Sequence, residues 1–216
     1  MDTVERERPL RYAECMRGRP ERDLELIQIT DKALADVTRK AGDWLVCRPG
    51  CTQCCTGAFA ISQLDAQRLR HGIDQLCQSE PERASRVRAR AKAYVERISQ
   101  DFPGDIRTGI LEDSAERDGR FESFANDEVC PALDPETGTC DLYEFRPMTC
   151  RVFGPPVRND DDNLSVCELC FHGATDEQIA ACELIADADD LETVLINELN
   201  AAGLTGNTIV AFTLAR

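Results

Sequence analysis

The sequence predicts a mainly α fold with little strand, its helices packed around an irregular, loop-rich cysteine centre. Three observations carry that expectation. Apolar residues recur at helical intervals in several stretches on both sides of the chain's middle. Between them, residues 127–173 are dominated by Cys, Pro, Gly and Asp, a composition that turns rather than repeats. Nine of the twelve cysteines fall in two blocks, 47–55 and 130–170, which a single domain over 21–216 would join. A chain of 216 residues is long enough to bury a real core.

Residues 1–20 are charged, are broken by Pro9, Gly18 and Pro20, and read as a loose arm. From Glu21 to Gly42, the residues Leu24, Ile27, Leu34, Val37 and Ala41 mark an amphipathic helix that Gly42 ends. The first thiol block follows, with Pro49-Gly50 as its turn. Ser62-Gln63-Leu64-Asp65 has the pattern of a capping box and opens a helix toward Leu76. Pro81 opens another, through Val87, Ala91, Val95 and Ile98 to Gln100. From Phe102 to Asn126 the periodicity weakens, and 127–173 reads as loops with little regular structure. Thr175 caps a helix over 176–186, and a second over 189–202 carries Leu191, Val194, Leu195 and Leu199 on one face. Gly203 and Gly206 close it, leaving Thr208–Leu214 as a final apolar strand or packing arm.

The formal charge of −15 argues against a general binder of nucleic acid or anionic membrane. Arg83, Arg86, Arg88, Arg90, Lys92 and Arg97 gather on one helix without interleaved aromatics, and read as a solvated helix face. The first residues are charged and lack the apolar core of a signal peptide. No stretch approaches the roughly 20 apolar residues of a membrane span. The expectation is a cytoplasmic protein, where thiols stay reduced and cysteine clusters mean metal or redox chemistry.

Cys47, Cys51, Cys54 and Cys55 form a C-x3-C-x2-C-C run within nine residues. Thiols so close cannot each fill a separate apolar site, but they can fold around one soft ion. A second array offers Cys130, Cys140 and Cys150, evenly spaced, then Cys167 and Cys170 as a C-x2-C pair. Pro131, Pro135, Gly138, Pro147 and Gly154 keep that segment turning, which helps distant thiols converge.

The run, followed by Cys130-Pro131-Ala132-Leu133, by Cys140 ahead of Tyr143-x-x-Arg146-Pro147, and by Cys150-Arg151, resembles the YkgJ-like cysteine-cluster family of zinc- or iron-chelating domains. Flagellin lysine methylases carry a similar array. The family is named for C-x2-C-x2-C-C, and this chain has three residues in the first gap. The resemblance covers Cys47 to Cys170 and implies a bound metal centre, iron–sulfur or zinc, without implying a reaction.

Converging thiolates costs electrostatic energy unless a cation and hydrogen-bond donors offset it. Arg146 and Arg151 are the candidate donors beside a cofactor, with Arg48 and Arg158 near other thiols in sequence. For Arg146 the competing reading is a plain salt bridge. One tetrahedral zinc or one 4Fe–4S cluster takes four protein ligands, so nine thiols mean two centres or spare sulfurs. Side chains of adjacent residues point apart in most conformations, so Cys54 and Cys55 do not both suit a single mononuclear zinc. Iron–sulfur (4Fe–4S) is preferred, with zinc the alternative.

Cys15, Cys77 and Cys182 lie outside the motif and read as small buried hydrophobes. His71, before Gly72, reads as a surface or capping side chain near a helix end, and His172 as packing rather than a ligand. Asp160-Asp161-Asp162 lacks calcium-loop spacing and reads as a solvated loop. No phosphate loop or hydrolytic Ser/His arrangement stands out, and no catalytic residue is assigned. The array supports a metal-binding protein with a structural or redox centre. An enzyme using that centre for redox or methyl-transfer chemistry, a cluster carrier, and an unknown redox or protein partner stand beside it.

Overall fold

The computed structural model describes residues 20, 22–48, 50–114, 119–159 and 163–216. The arm up to Arg19, with Cys15, lies outside them, as do Pro49 and Asp160-Asp161-Asp162. The fold is mainly α. Helices α1 (Asp23–Ala41), α2 (Gln63–Ser79) and α3 (Pro81–Ile98) form the frame. α4 (Met148–Val152), α5 (Asp176–Ala181), α6 (Leu191–Ala201) and α7 (Val210–Leu214) complete it. Strand is confined to three two-residue antiparallel pairs: β1–β2 (Gly104–Asp105, Ile110–Leu111), β3–β4 (Leu133–Asp134, Thr139–Cys140) and β5–β6 (Val157–Arg158, Leu164–Ser165). No helix among the described residues is long and apolar enough to cross a membrane.

The Ser62 hydroxyl accepts the Asp65 N–H and starts α2. Pro81 then sits at the start of α3. The two helices pack through Leu69, Ile73, Leu76, Ala84, Val87 and Ala91 into the principal core, which α7 closes with Val210 and Leu214. Each of the Leu, Ile and Val side chains, fully buried, contributes roughly 1.5–3 kcal/mol. A second cluster joins Tyr94 and Ile98 of α3 to Phe102, Leu111, Phe124 and Phe212. A third gathers Val37, Ala41, Phe171, Cys182 and Leu184 with Cys167 and Cys170. The fourth joins α1 to α6 through Leu26, Leu64, Met148, Leu191, Leu195 and Leu199.

Several expectations change. Leu24, expected on the buried face of α1, is 57% exposed, and that face runs instead through Asp23, Leu26, Thr30, Val37 and Ala41. The reason is polar: Asp23 pairs with the fully buried Arg68, which rotates the helix and turns Leu24 outward. Val194 of α6 is likewise exposed. The helix expected over 176–186 stops at Ala181. His71 lies within α2 rather than near its end, edge-on to Phe145. Gly72 does not end that helix; it admits Phe145, whose Cγ would stand 2.5 Å from any Cβ there. The terminal apolar segment bridges Ile61 through Thr208 and then forms helix α7, not a strand. Cys77 is exposed, contrary to the expectation of burial, whereas Cys182 is buried in the third cluster.

Candidate metal centre

The thiols approach one another because three local structures bring them there. A 3-10 turn over Gln53–Cys55 curls the first block, and the Cys51 N–H closes a turn on the Arg48 carbonyl. The end of that block pairs with residues 128–130. The Cys130 N–H donates to the Cys55 carbonyl at 2.7 Å, Gly57 to the Glu128 carbonyl at 2.9 Å, and Thr56 bridges Val129. Strands β3 and β4 then set Cys140 opposite Leu133, three residues beyond Cys130. On the other side the Phe171 N–H donates to the Trp44 carbonyl and the two rings stack 6.2 Å apart, tying 167–171 to the approach of Cys47. Gln53 Nε2 reaches Glu168 Oε1 at 2.6 Å.

The sulfurs sort into two sets by their electrostatic neighbours. Burial and the sulfurs of Cys170, Cys51, Cys167 and Cys54 push the Cys47 thiol up to about 12. Burial raises Cys167 as well, with Cys170 and Cys51 adding to it. In the other set, burial pushes Cys130 up to about 12, with Cys140 and Cys54 nearby. Cys150 is raised by burial and then by Cys130, Cys54 and Cys140. The Cys55 thiol interacts with Cys54, which raises Cys55 and lowers Cys54. Thus Cys47, Cys51, Cys167 and Cys170 neighbour one another, as do Cys54, Cys55, Cys130, Cys140 and Cys150, with Cys54 also felt at Cys47. The packing agrees with this division. Cys130 and Cys140 rest on the principal core, while Cys167 and Cys170 belong to the cluster at the end of α1.

The expectation that Cys54 and Cys55 point apart fails for a local reason. The 3-10 turn closes on the Cys55 N–H to Thr52 carbonyl bond, and the two side chains interact across it.

Backbone N–H groups also face the sulfurs. Cys130 receives those of Ala132 and Leu133, Cys140 that of Leu142, and Cys167 that of Leu169. In three cases the donor is two residues beyond the cysteine, the geometry of a metal knuckle, and each N–H favours the thiolate. Gly154 makes room on the first group: a Cβ there would stand 2.8 Å from Cys47 Sγ. Its carbonyl accepts the Cys167 N–H at 3.3 Å.

Arg146 is 9% exposed, and its guanidinium stacks 3.9 Å over the Tyr143 ring while Nη1 donates to the Tyr143 carbonyl at 2.7 Å. It favours the thiolates of Cys54 and Cys140. Among the described residues no carboxylate lies within ion-pair distance of it, so the salt-bridge reading does not hold. Arg151 turns elsewhere: Nη1 contacts Asp31 at 2.5 Å and Nη2 the Glu144 carbonyl at 2.7 Å. Arg158 pairs with Glu183, Arg48 is exposed, and His172 is exposed.

Charges that sequence reasoning left to solvent hold this assembly in place. Arg83 and Arg90 of α3 both contact the buried Asp141 at 2.5 Å, and Arg90 also donates to the Pro131 carbonyl. These contacts clamp the β3–β4 hairpin, and with it Cys130 and Cys140, onto α3. Arg97 pairs with Glu128. Asp65 accepts the Met148 N–H at 2.9 Å and caps the helix that carries Cys150, and Arg68 braces it at 2.6 Å. Arg68 and Asp23 are wholly buried, so this ionic core fixes geometry more than it adds stability.

The donor chemistry fits a soft metal: nine thiols in two gatherings, knuckle N–H groups, and a buried cation with no carboxylate partner. Among the described residues no three His, Cys, Asp or Glu side chains stand in closed coordination geometry. The eleven described cysteines are free thiols.

A helical frame gathering sulfurs in this way defines a cysteine-cluster protein. The chain belongs to the CxxCxxCC family, described as "Putative zinc- or iron-chelating domain", whose model matches residues 46–171, more than half the chain. No curated protein and no solved structure matches the chain.

Proposed function

We propose that this chain is a two-centre metalloprotein of the cytoplasm. In this reading Cys47, Cys51, Cys167 and Cys170 hold a structural metal, and Cys54, Cys130, Cys140 and Cys150, with Cys55 beside them, hold a redox-active 4Fe–4S cluster. The observation that carries the reading is the gathering of nine thiols around two core clusters, Cys130 and Cys140 packing on one and Cys167 and Cys170 within the other. Four is the ligand number of a tetrahedral zinc and of a 4Fe–4S cluster.

The first group supports zinc: it is built from two short turns, C-x3-C and C-x2-C, and the neighbours that shift Cys47 and Cys167 most are other thiols. The second supports a cluster. Four thiolates around an oxidised 4Fe–4S centre leave a net negative charge, and Arg146 is a buried cation placed to offset it. When bound, such a cluster supplies one-electron redox chemistry. The protein's part is to hold the sulfurs, aim N–H groups at them, and keep Arg146 beside Cys54 and Cys140. An electron-exchanging protein is the partner this reading implies.

The test is elemental analysis of protein purified without oxygen, with its visible spectrum. The expected result is about four iron and four sulfide with about one zinc per chain, and a brown colour bleached by dithionite. Colourless protein carrying only zinc would remove the cluster, and metal-free protein with paired cysteines would remove both centres.

A further inference from the structure

A cavity of 490 Å³ opens between α1 and the Tyr143–Arg151 segment, lined by Asp31, Leu34, Ala35, Thr38, Arg39, Tyr143, Glu144, Arg146 and Arg151. We propose that this cavity is a binding site for a small organic carboxylate. The two arginines at its base, Arg146 and Arg151, provide the recognition.

Both side chains are at least nine-tenths buried: Arg146 is 9% exposed and Arg151 2%. Burying a guanidinium is costly unless its charge is matched and its donors are used. Arg151 satisfies part of that need with Asp31 and the Glu144 carbonyl, but its buried Nε has no hydrogen-bond partner. Arg146 spends Nη1 on the Tyr143 carbonyl and has no carboxylate in ion-pair reach among the described residues. The two cations also repel each other across the cavity floor. Two adjacent guanidiniums sharing one paired carboxylate, with Arg146 keeping the donors that its single Nη1 bond leaves unused, form a receptor for one more planar anion.

The walls narrow the class. The lining gathers three arginines with Asp31 and Glu144, in a chain of formal charge −15. Asp31 is engaged by Arg151, and Arg39 contacts Asp36 at 2.6 Å at the rim. Leu34, Ala35 and the Tyr143 ring supply an apolar side that phosphate would leave unused, and that an aryl or alkyl tail would cover. A monocarboxylate with an apolar body uses both halves. The proposal stands on the arginines and the cavity, whatever the thiols hold.

The experiment is calorimetric titration of the full chain, as purified, with benzoate, benzamide and inorganic phosphate, metal content being measured on the same sample. Benzoate is expected to bind once per chain with a dissociation constant on the order of 1 mM or below. Benzamide, its neutral counterpart, should bind at least tenfold more weakly. Arg146→Met should weaken benzoate about tenfold, the worth of a charge-assisted hydrogen bond. Ala35→Trp, at an exposed position, should block the cavity while leaving both arginines and the metal content intact. Absence of saturable benzoate heat, or benzoate binding indifferent to both substitutions, overturns the site. Tighter binding of phosphate than benzoate overturns the carboxylate assignment.

Discussion

Replacing Gly154 by alanine should remove the first metal centre and leave the second. Gly154 has φ +123°, a backbone region that L side chains rarely adopt, and it packs directly on Cys47. An added Cβ would stand 2.8 Å from Cys47 Sγ and 3.4 Å from the Leu45 side chain. Ordinary contact begins at about 3.5 Å, so the sulfur must retreat by about 0.7 Å or the loop must shift. Backbone strain of this kind costs about 1–3 kcal/mol and local overpacking a similar amount. A combined loss of about 2–6 kcal/mol falls on a small part of the molecule. Gly154 lies outside the residues that build the principal core, and the Cys130 and Cys140 hairpin is clamped to α3 independently. The assay is metal analysis beside far-ultraviolet circular dichroism. The expected result is native helicity, loss of about one zinc per chain, and unchanged iron and sulfide. Equal loss from both centres would refute the separation argued for the thiols, and full retention of zinc would refute the placement of Cys47 as a ligand.

Other outcomes follow from the same contacts. Asp141→Ala frees Arg83 and Arg90 from the hairpin carrying Cys140, and should lower iron content while sparing zinc, read by elemental analysis. Arg68→Met strands Asp23 and Asp65 in the interior and should cost about 3–5 kcal/mol in denaturant unfolding, where the loss of one surface pair costs under about 1. Burial, with Asp65 nearby, raises the Glu192 carboxyl to about 7, while Arg68 opposes the shift. Because the folded value lies above the unfolded one of 4.5, the folded chain holds the extra proton between them. That contribution is present at acid pH and is lost as pH rises from about 4.5 through 7. Glu192→Gln should therefore gain stability over wild type between pH 5 and 8 by about 2–3 kcal/mol, measured as the difference in unfolding free energy. A flat difference across that range would contradict the assignment.

What the sequence disclosed, and what it withheld, follows from the range of each signal. Local signals were legible. Ser62 and Thr175 do cap helices, and the apolar spacing of α3 places Val87, Ala91 and Ile98 in the core. Polar burial was not legible, because Asp23 and Arg68 look like surface charges until they meet across 45 residues. That pairing is what turned Leu24 outward. His71 read as lying near a helix end for the same reason: only Phe145, far along the chain, explains the glycine beside it inside α2.

The site shows the same division. Each metal knuckle is local, so the thiols themselves stood out. Their partition did not, since it depends on the 55–130 backbone pairing and on the Trp44–Phe171 contact, both long-range. The run Arg83 to Arg97 read as a solvated face because Asp141 and Glu128, its real partners, sit on loops without periodicity. The 3-10 segment Tyr143–Phe145 brings Arg146 over the Tyr143 ring. That no carboxylate among the described residues comes within ion-pair reach of Arg146 depends on how the segment packs against α1, which is long-range.

The central claim is that nine thiols make two independent centres. The most direct measurement is the metal content of two single variants, Cys167→Ser and Cys130→Ser, prepared without oxygen beside the wild-type chain. Cys167→Ser is expected to lose zinc and keep its iron and visible absorption, whereas Cys130→Ser is expected to lose iron and keep zinc. Loss of the same metal, in the same amount, from both variants would contradict that claim.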